Sequence, residues 1–313
     1  MSTDRPDALF ATYEEAAAAV AAAGIASASP LALPLAEARA AQARYFAFLA
    51  QDPPAVGHIE DMSAAGPVGA VPLRLYYPEG TGPFPVILYI RGSGWWTGDL
   101  ASHDRTMRVI ARESGFAVCG IDYRCTPEFQ CPVQRDEVRA ALAFLETHAA
   151  PLGLVPGATV GWGESAGATL ALAAAQAQRD AREPMPRGLV LMYGNFGGPK
   201  PGSRDYSKWV WRQYLGDAVP ASDPAAVPLL GSMAGLPPVW LGCGDSDPLI
   251  ADTNELAEKL ARAGVAHDVT VYPGMPHAFV MFTRFLEAAH SSIRDGSAAA
   301  RRFVGAAGKP AIA

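Results

Sequence analysis

The stretch that decides the fold is Gly163-Glu164-Ser165-Ala166-Gly167, which follows a short apolar run at Thr159–Trp162. A helix-forming run rich in small residues, Ala166–Arg179, begins directly after the serine. In a nucleophile elbow the chain turns sharply from a strand into a helix, so the positions two before and two after the serine must be small. Here both are glycine. The turn holds the hydroxyl above the sheet, and the N-terminus of the helix favours negative charge there. The pattern therefore predicts that Ser165 is a nucleophile.

Strands alternate with helices on both sides of this motif. Several of the strand-like runs are continuously apolar, as expected of parallel strands that are covered on both faces. Helical patterns connect them, which predicts an α/β protein with a mostly parallel central sheet flanked by helices. The predicted strands are Val71–Tyr77, Val86–Arg91, Ala117–Asp122, Thr159–Trp162, Leu189–Tyr193, Val239–Cys243 and Asp268–Tyr272. The predicted helices between them are His103–Glu113, Val133–Ala149, Ala166–Arg179 and Asp252–Ala263.

Two segments fall outside this alternation. The N-terminal part predicts two helices, Ala8–Ala23 and Leu35–Leu49, and the Gly- and Pro-rich interval 196–230 contains an aromatic helical patch. Both would lie over the carboxyl ends of the strands, where open α/β sheets bind ligands. We therefore expect N-terminal cap helices in residues 1–55 and a catalytic domain in residues 56–313, with a cap insertion at about 196–230.

The overall charge excludes some classes of partner. The formal net charge is −6 and the isoelectric point is near 5.5, so no basic field is present to neutralise nucleic-acid phosphates. No Lys/Arg-rich run or basic amphipathic helix indicates a membrane surface, and no stretch is long and apolar enough to span a bilayer. The sequence predicts neither a nucleic-acid partner nor a membrane partner.

The sequence also bears on the compartment. Residues 16–26 resemble the apolar core of a signal peptide, but acidic residues precede them, with Arg5 as the one basic residue, so the expected positive start is missing. Alanine is the best helix former, which favours a surface or cap helix. The four cysteines match neither a zinc pattern nor a CxxC redox pair; they are Cys119, Cys125, Cys131 and Cys243. We therefore expect a cytoplasmic protein with reduced thiols and no metal.

A serine hydroxyl needs a base, and the base needs an orienting acid. His277 lies in a loop after the last predicted strand, from which it can return to the edge that carries the serine. Asp247 lies in a loop that follows a predicted strand, between the serine and the histidine. This chain order is the one expected of an α/β hydrolase. Ser165, Asp247 and His277 are the predicted triad, and the alternative roles of Asp245 and Asp252 are a turn residue and a helix N-cap.

The oxygen that becomes negative during the attack needs preorganised N–H donors. The backbone N–H of Ala166, next to the nucleophile, is one predicted donor. The others should come from the Gly-rich loop Arg91-Gly92-Ser93-Gly94-Trp95-Trp96, which follows a predicted strand.

From about residue 70 to 285 the chain resembles the hormone-sensitive-lipase family of esterases, also called bacterial family IV. The resemblance implies an α/β-hydrolase fold and hydrolysis of short to medium acyl esters without a cofactor, beneath a helical cap. It assigns the triad to the three residues named above and the oxyanion donors to Ser93, Gly94 and Ala166. Members of that family often form dimers through edge strands or late helices, so the resemblance leaves open whether this chain forms a homodimer. The resemblance rests on Gly94-Trp95, Gly98-Asp99-Leu100, His103-Asp104, Asp122-Tyr123-Arg124, Pro127-Glu128, the elbow, Asp247-Pro248-Leu249 with Asp252, and Pro276-His277-Ala278-Phe279.

The chain departs from the family pattern at the oxyanion loop and at the elbow. The family's His-Gly-Gly-Gly is replaced by Arg91-Gly92-Ser93-Gly94, and the side chain of Ser93 restricts the backbone angles that glycine would allow. Arg91 either braces the loop or pairs with an acidic group of the substrate. Glu164 replaces the commoner Asp and is given no catalytic role. We expect Arg124 and Glu128 to form a structural network.

The sequence predicts a serine carboxylesterase that acts on a small-molecule ester through an acyl-enzyme. An amidase, formamidase or deacetylase would use the same triad, and a non-catalytic ligand-binding protein on the hydrolase scaffold is the alternative from another class. The candidates for lining the substrate pocket, with packing in the cap or core as the alternative, are Arg91, Trp95, Trp96, Phe196 and Trp209.

Overall fold

Eight strands form one sheet in the computed structural model, which describes residues 9–200 and 203–305. The spatial order is β1-β2-β4-β3-β5-β6-β7-β8. β2 runs antiparallel to both of its neighbours, and all other neighbouring pairs are parallel. The mostly parallel sheet predicted from the sequence is confirmed. The strands are β1 (His58–Gly66), β2 (Gly69–Tyr77), β3 (Phe84–Ile90), β4 (Ala117–Ile121), β5 (Leu154–Glu164), β6 (Leu189–Met192), β7 (Val239–Gly244) and β8 (His267–Tyr272).

Helices cover both faces of the sheet. One face packs against α4, α5 and α7, and the other packs against α3 and α8. Each face has its own apolar core, so the central strands are buried on both sides. The described helices are α1 (Tyr13–Ala22), α2 (Leu35–Leu49), α3 (Asp104–Ser114), α4 (Val133–His148), α5 (Ala166–Ala181), α6 (Asp205–Leu215), α7 (Ile250–Arg262) and α8 (Glu287–Gly305).

The first helix confirms the helical interpretation of the Ala-rich N-terminal run. Thr12 and Glu15 cap α1 reciprocally, because each side chain accepts a hydrogen bond from the backbone N–H of the other residue. The predicted start at Ala8 lies outside the described residues. None of the described helices combines the length and the apolar character that a membrane span requires.

Two elements went unpredicted. Strand β1 is an edge strand whose side chains are mostly exposed, so it lacks the apolar pattern of the central strands. The buried face of helix α8 consists chiefly of small residues. A β-carbon at Gly296 would lie 2.5 Å from the ring of Trp162, so this helix lies close against the sheet because its buried face is small.

Candidate active site

Ser165 occupies the turn between β5 and α5, with a positive φ of 50°. A β-carbon at Gly163 would lie 2.5 Å from the carbonyl oxygen of Gly167, and one at Gly167 would overlap the carbonyl oxygen of Ile90. Only glycine fits both positions, as the elbow pattern requires. The turn leaves the Ser165 side chain half-buried at the carboxyl edge of the sheet.

The structure brings Ser165, His277 and Asp247 together. The Ser165 Oγ lies 2.8 Å from the His277 Nε2, and the His277 Nδ1 lies 2.8 Å from the Asp247 Oδ2. The buried Asp247 carboxylate only accepts, so the hydrogen of a neutral imidazole lies on Nδ1 and Nε2 accepts from the serine. The other carboxylate oxygen accepts the Leu249 N–H at 2.8 Å, which fixes the rotation of Asp247.

The loops after β7 and β8 meet because of Gly244. This residue ends β7, and a β-carbon there would overlap the carbonyl oxygen of Met275. The loop that carries His277 therefore approaches the loop that carries Asp247. The Asp245 side chain accepts the Gly274 N–H at 2.8 Å, which also holds the two loops together. Asp245 is thus a turn residue, as the alternative interpretation had it.

The oxyanion loop has an unusual backbone. Ser93, Gly94 and Trp95 follow one another with φ of 79°, 59° and 63°. Ser93 therefore adopts the left-handed conformation in spite of its side chain. Within the described part of the chain, the N–H groups of Ser93, Gly94 and Ala166 donate to no protein acceptor. A curved run of successive N–H groups forms a concavity suited to an anion.

Arg91 braces this loop, which corrects its inclusion among the pocket residues. Its side chain is 2% exposed. The guanidinium donates to the carbonyl oxygens of Thr97 at 2.7 Å and Tyr123 at 2.8 Å, and it lies 4.0 Å from the centre of the Tyr123 ring. The Tyr123 hydroxyl in turn lies 3.0 Å from the carbonyl oxygens of Arg91 and Gly92. Because the guanidinium is enclosed and occupied, it is not placed to receive a substrate carboxylate.

Two of the candidate aromatic residues also pack in the core. Trp95 is fully buried, stacked on Tyr214 with ring centres 4.4 Å apart, and Phe196 is fully buried as well. Their assignment to the substrate pocket is corrected, since neither has surface to offer a ligand. Trp96 is buried and donates through Nε1 to the Tyr206 hydroxyl at 3.0 Å. Trp209 is partly exposed and packs edge-on against Trp96, and of the five candidates it alone keeps substantial exposed surface.

Arg124 and Glu128, which were expected to form one structural network, pair with different partners. Arg124 forms an ion pair with the buried Glu137 instead. Glu128 pairs with Arg39 of α2 at 2.6 Å, and Arg39 also donates to the carbonyl oxygen of Trp96 at 2.8 Å. The helix α2 is thereby tied to the oxyanion loop.

Glu164 has neighbours that the sequence did not reveal. Its carboxylate, 2% exposed, accepts from the hydroxyls of Tyr89 at 2.5 Å and Tyr193 at 2.6 Å and lies 2.9 Å from the Nε2 of His103. Burial alone would raise the pKa of Glu164, but these donors, His103 first, outweigh it and hold the pKa below its ordinary value of 4.5. The motif His103-Asp104 was visible in the sequence, but it did not predict that His103 contacts Glu164.

The described residues contain no cluster of His, Cys, Asp or Glu side chains arranged to hold a metal ion. Fold and site together define an α/β hydrolase with a Ser–His–Asp array. A family profile described as alpha/beta hydrolase fold matches residues 87–281. The chain belongs to this family, and the resemblance to hormone-sensitive-lipase esterases is confirmed.

Similar proteins carry ester-hydrolase names. The chain is 32% identical over 241 residues to the carboxylic ester hydrolase LipN of Mycobacterium tuberculosis, a match that covers 71% of this chain and 64% of that relative's length. An ester hydrolase from the metagenome of Lake Arreo, solved with a derivative of bipyridine phosphonate, matches with a TM-score of 0.85 and 28% identity, covering 95% of this chain and 98% of that one. An esterase of the bacterial hormone-sensitive lipase family matches with a TM-score of 0.77 and 27% identity, covering 87% and 93%.

Proposed function

We propose that this chain is a serine carboxylesterase that hydrolyses small-molecule esters through an acyl-enzyme. The observation that carries the proposal is the hydrogen-bonded array Ser165–His277–Asp247, beside N–H groups of the neighbouring loop and helix that donate to no acceptor among residues 9–200 and 203–305. The ester-hydrolase names of the similar proteins support it.

In the first step the Ser165 Oγ attacks the ester carbonyl carbon while the His277 Nε2 takes its proton. Asp247 holds the imidazole in the accepting tautomer and stabilises the cation that forms. The imidazolium then gives its proton to the leaving alcohol as the carbon–oxygen bond breaks, which leaves an acyl group on Ser165. Water repeats the attack with His277 as base and releases the acid.

The N–H groups of Ser93, Gly94 and Ala166 are the donors that we assign to the oxyanion. One such donor contributes about 10²–10³-fold to the rate when it is aimed at the developing charge. Arg91 and Tyr123 fix the loop from beneath, so these donors are held in place before the substrate arrives.

We assign the role of a cap to α1, α2 and the segment that contains α6. Helix α6 contacts the oxyanion loop through Tyr206 and Val210, and α2 reaches the same loop through Arg39. We assign to this cap, with the partly exposed Trp209 beside it, the binding of esters with a short to medium acyl chain.

The test is hydrolysis of p-nitrophenyl esters, from acetate to dodecanoate, by the wild type, Ser165→Ala and Ser63→Ala. Ser63 is an exposed serine on the edge strand β1 and serves as the matched control. We expect activity that peaks at short chains, is retained in the control and is lost in Ser165→Ala. A folded wild type without activity on the whole series, or an active Ser165→Ala, would contradict the proposal.

A further inference from the structure

Four buried side chains beside the nucleophile have no part in the acyl transfer described above. They form one hydrogen-bonded group, here called the Glu164 cluster, and each is at most 2% exposed. Its members are Tyr89, His103, Glu164 and Tyr193.

The donors in this cluster all point to the carboxylate. One oxygen of Glu164 accepts from Tyr89 and His103, and the other accepts from Tyr193. Burial, and then the negative charge of Glu164, raise the pKa of Tyr193 well above 10, so its hydroxyl keeps its hydrogen and remains a donor. The position of the Tyr193 hydroxyl is thereby fixed.

The ring of Tyr193 reaches the proposed base. It packs against the His277 imidazole with ring centres 5.0 Å apart and planes at 66°, and against Phe279 at 5.8 Å. Its backbone N–H donates to the Gly242 carbonyl oxygen at 2.7 Å, and its φ is 38°. Tyr193 is held at both ends, by the backbone of β7 and by Glu164.

The His277 ring needs such a support. The bond to Asp247 fixes one atom of the imidazole but leaves the ring free to rock about that bond. The His277 side chain is 32% exposed, so solvent faces part of it. The edge-to-face contact with Tyr193 constrains the plane of the ring, which the Nε2 needs in order to meet the Ser165 hydroxyl.

We propose that Tyr193, fixed by Glu164, is a positioning residue that holds the His277 imidazole in line with Ser165. The inference rests on the proposed function, since it assigns a supporting role within the same site.

The test compares Tyr193→Phe, Glu164→Gln and the double variant with Tyr272→Phe as the control. Tyr272 also donates to a carboxylate, that of Asp295 at 2.8 Å, and also packs on Phe279, but no ring contact joins it to His277. With a p-nitrophenyl ester we expect kcat to fall about tenfold in Tyr193→Phe with KM unchanged, because misplacement of a reacting group by 1 Å costs up to about 100-fold. The control should keep the wild-type kcat.

The double variant tests whether the two residues act together. If Glu164 acts through Tyr193, the double variant loses no more than the more damaged single variant, as coupled residues do. Losses that multiply, or a kcat in Tyr193→Phe equal to that in Tyr272→Phe, overturn the inference while leaving the esterase proposal intact.

A second measurement does not depend on turnover. The Nδ1–H proton of His277 in its bond to Asp247 is followed by NMR and identified by its loss in His277→Ala. We expect this proton to exchange faster with water in Tyr193→Phe and Glu164→Gln than in the wild type and Tyr272→Phe. Equal exchange in all four proteins overturns the inference, whether or not the protein hydrolyses the esters supplied.

Discussion

The backbone of Gly94 lies directly against the side chain of Tyr206. A β-carbon at Gly94 would lie 2.9 Å from the Tyr206 hydroxyl oxygen and 3.0 Å from a methyl of Val210. The same hydroxyl lies 3.0 Å from the Nε1 of Trp96, which donates to it. Helix α6 and the oxyanion loop therefore touch without space between them, so a change in the loop shifts the helix or the proposed donors.

Gly94→Ala should lower kcat/KM by about 10²-fold, because one proposed oxyanion donor moves when the new methyl group pushes against Tyr206. The control is Gly115→Ala. Gly115 also has a positive φ, of 73°, but a β-carbon there meets nothing within 4 Å. It should cost about 1 kcal/mol of stability and leave the kinetics unchanged. Equal kcat/KM in the two variants would contradict the prediction, because the close contact at Gly94 would then have no effect on the proposed donor.

Ser93→Gly should keep the wild-type kcat/KM to within about threefold. Ser93 already adopts a φ of 79°, where glycine suffers no steric penalty, so the N–H direction is retained. Thermal unfolding should show a change of less than about 1 kcal/mol, since the relief of strain opposes the greater entropy of the unfolded glycine chain. A loss of rate near 100-fold would mean that the serine hydroxyl contributes directly.

Asp247→Asn should lower kcat by about 10⁴-fold with little loss of structure. The amide oxygen can keep the bond from the Leu249 N–H, which places the NH₂ group opposite the Nδ1 of His277. The imidazole then carries its hydrogen on Nε2 and no longer accepts from Ser165. Asp245→Asn is the matched control, since Asp245 lies two residues away and bonds the Gly274 N–H. The prediction fails if the two variants lose activity equally.

Arg91→Met separates loop bracing from substrate binding. It leaves the carbonyl oxygens of Thr97 and Tyr123 without their donor, so the free energy of unfolding should fall by about 2–4 kcal/mol and kcat should fall with it. Denaturant unfolding and steady-state kinetics measure the two effects. An unchanged stability with a raised KM for esters of acidic compounds, and for no other esters, would restore the substrate-binding role. Arg74→Met, which removes a partly exposed pair with Asp61, controls for loss of a surface ion pair.

The central sheet could be predicted because its strands are apolar on both faces and end in short loops of recognisable composition. The same reasoning failed at β1, whose residues face solvent, and at α8, whose buried face is made of small residues such as Gly296. Local periodicity is clearest where large apolar side chains are buried. β1 buries Ala64 alone, and α8 buries mostly small residues beside Ile293 and Phe303.

The residues of the proposed triad could be placed because each follows its own strand and their order along the chain is diagnostic. The Glu164 cluster could not be predicted from the sequence, since its members come from four separate places in the chain and meet only when the sheet forms. The burial of Trp95 and Phe196 could not be predicted from the sequence for a similar reason. An aromatic residue near a glycine-rich loop suits a pocket and a core equally well, and the choice depends on α6 packing over the loop.

Glu164→Gln should reveal a pH-dependent part of the stability. The folded protein holds the pKa of Glu164 below its ordinary value of 4.5, so the carboxylate stabilises the fold fully above that pH. This contribution is lost as the pH falls through the folded-state value, because the unfolded chain takes up the proton first. The wild type should therefore exceed the variant in free energy of unfolding by about 3 kcal/mol at pH 7, and the gap should narrow below about pH 4.5. Guanidinium unfolding between pH 7 and pH 3 measures it. Glu79→Gln, at an exposed position, should show no such gap, and a gap for Glu164→Gln that stays constant down to pH 3 would mean that the carboxylate gains nothing from its donors.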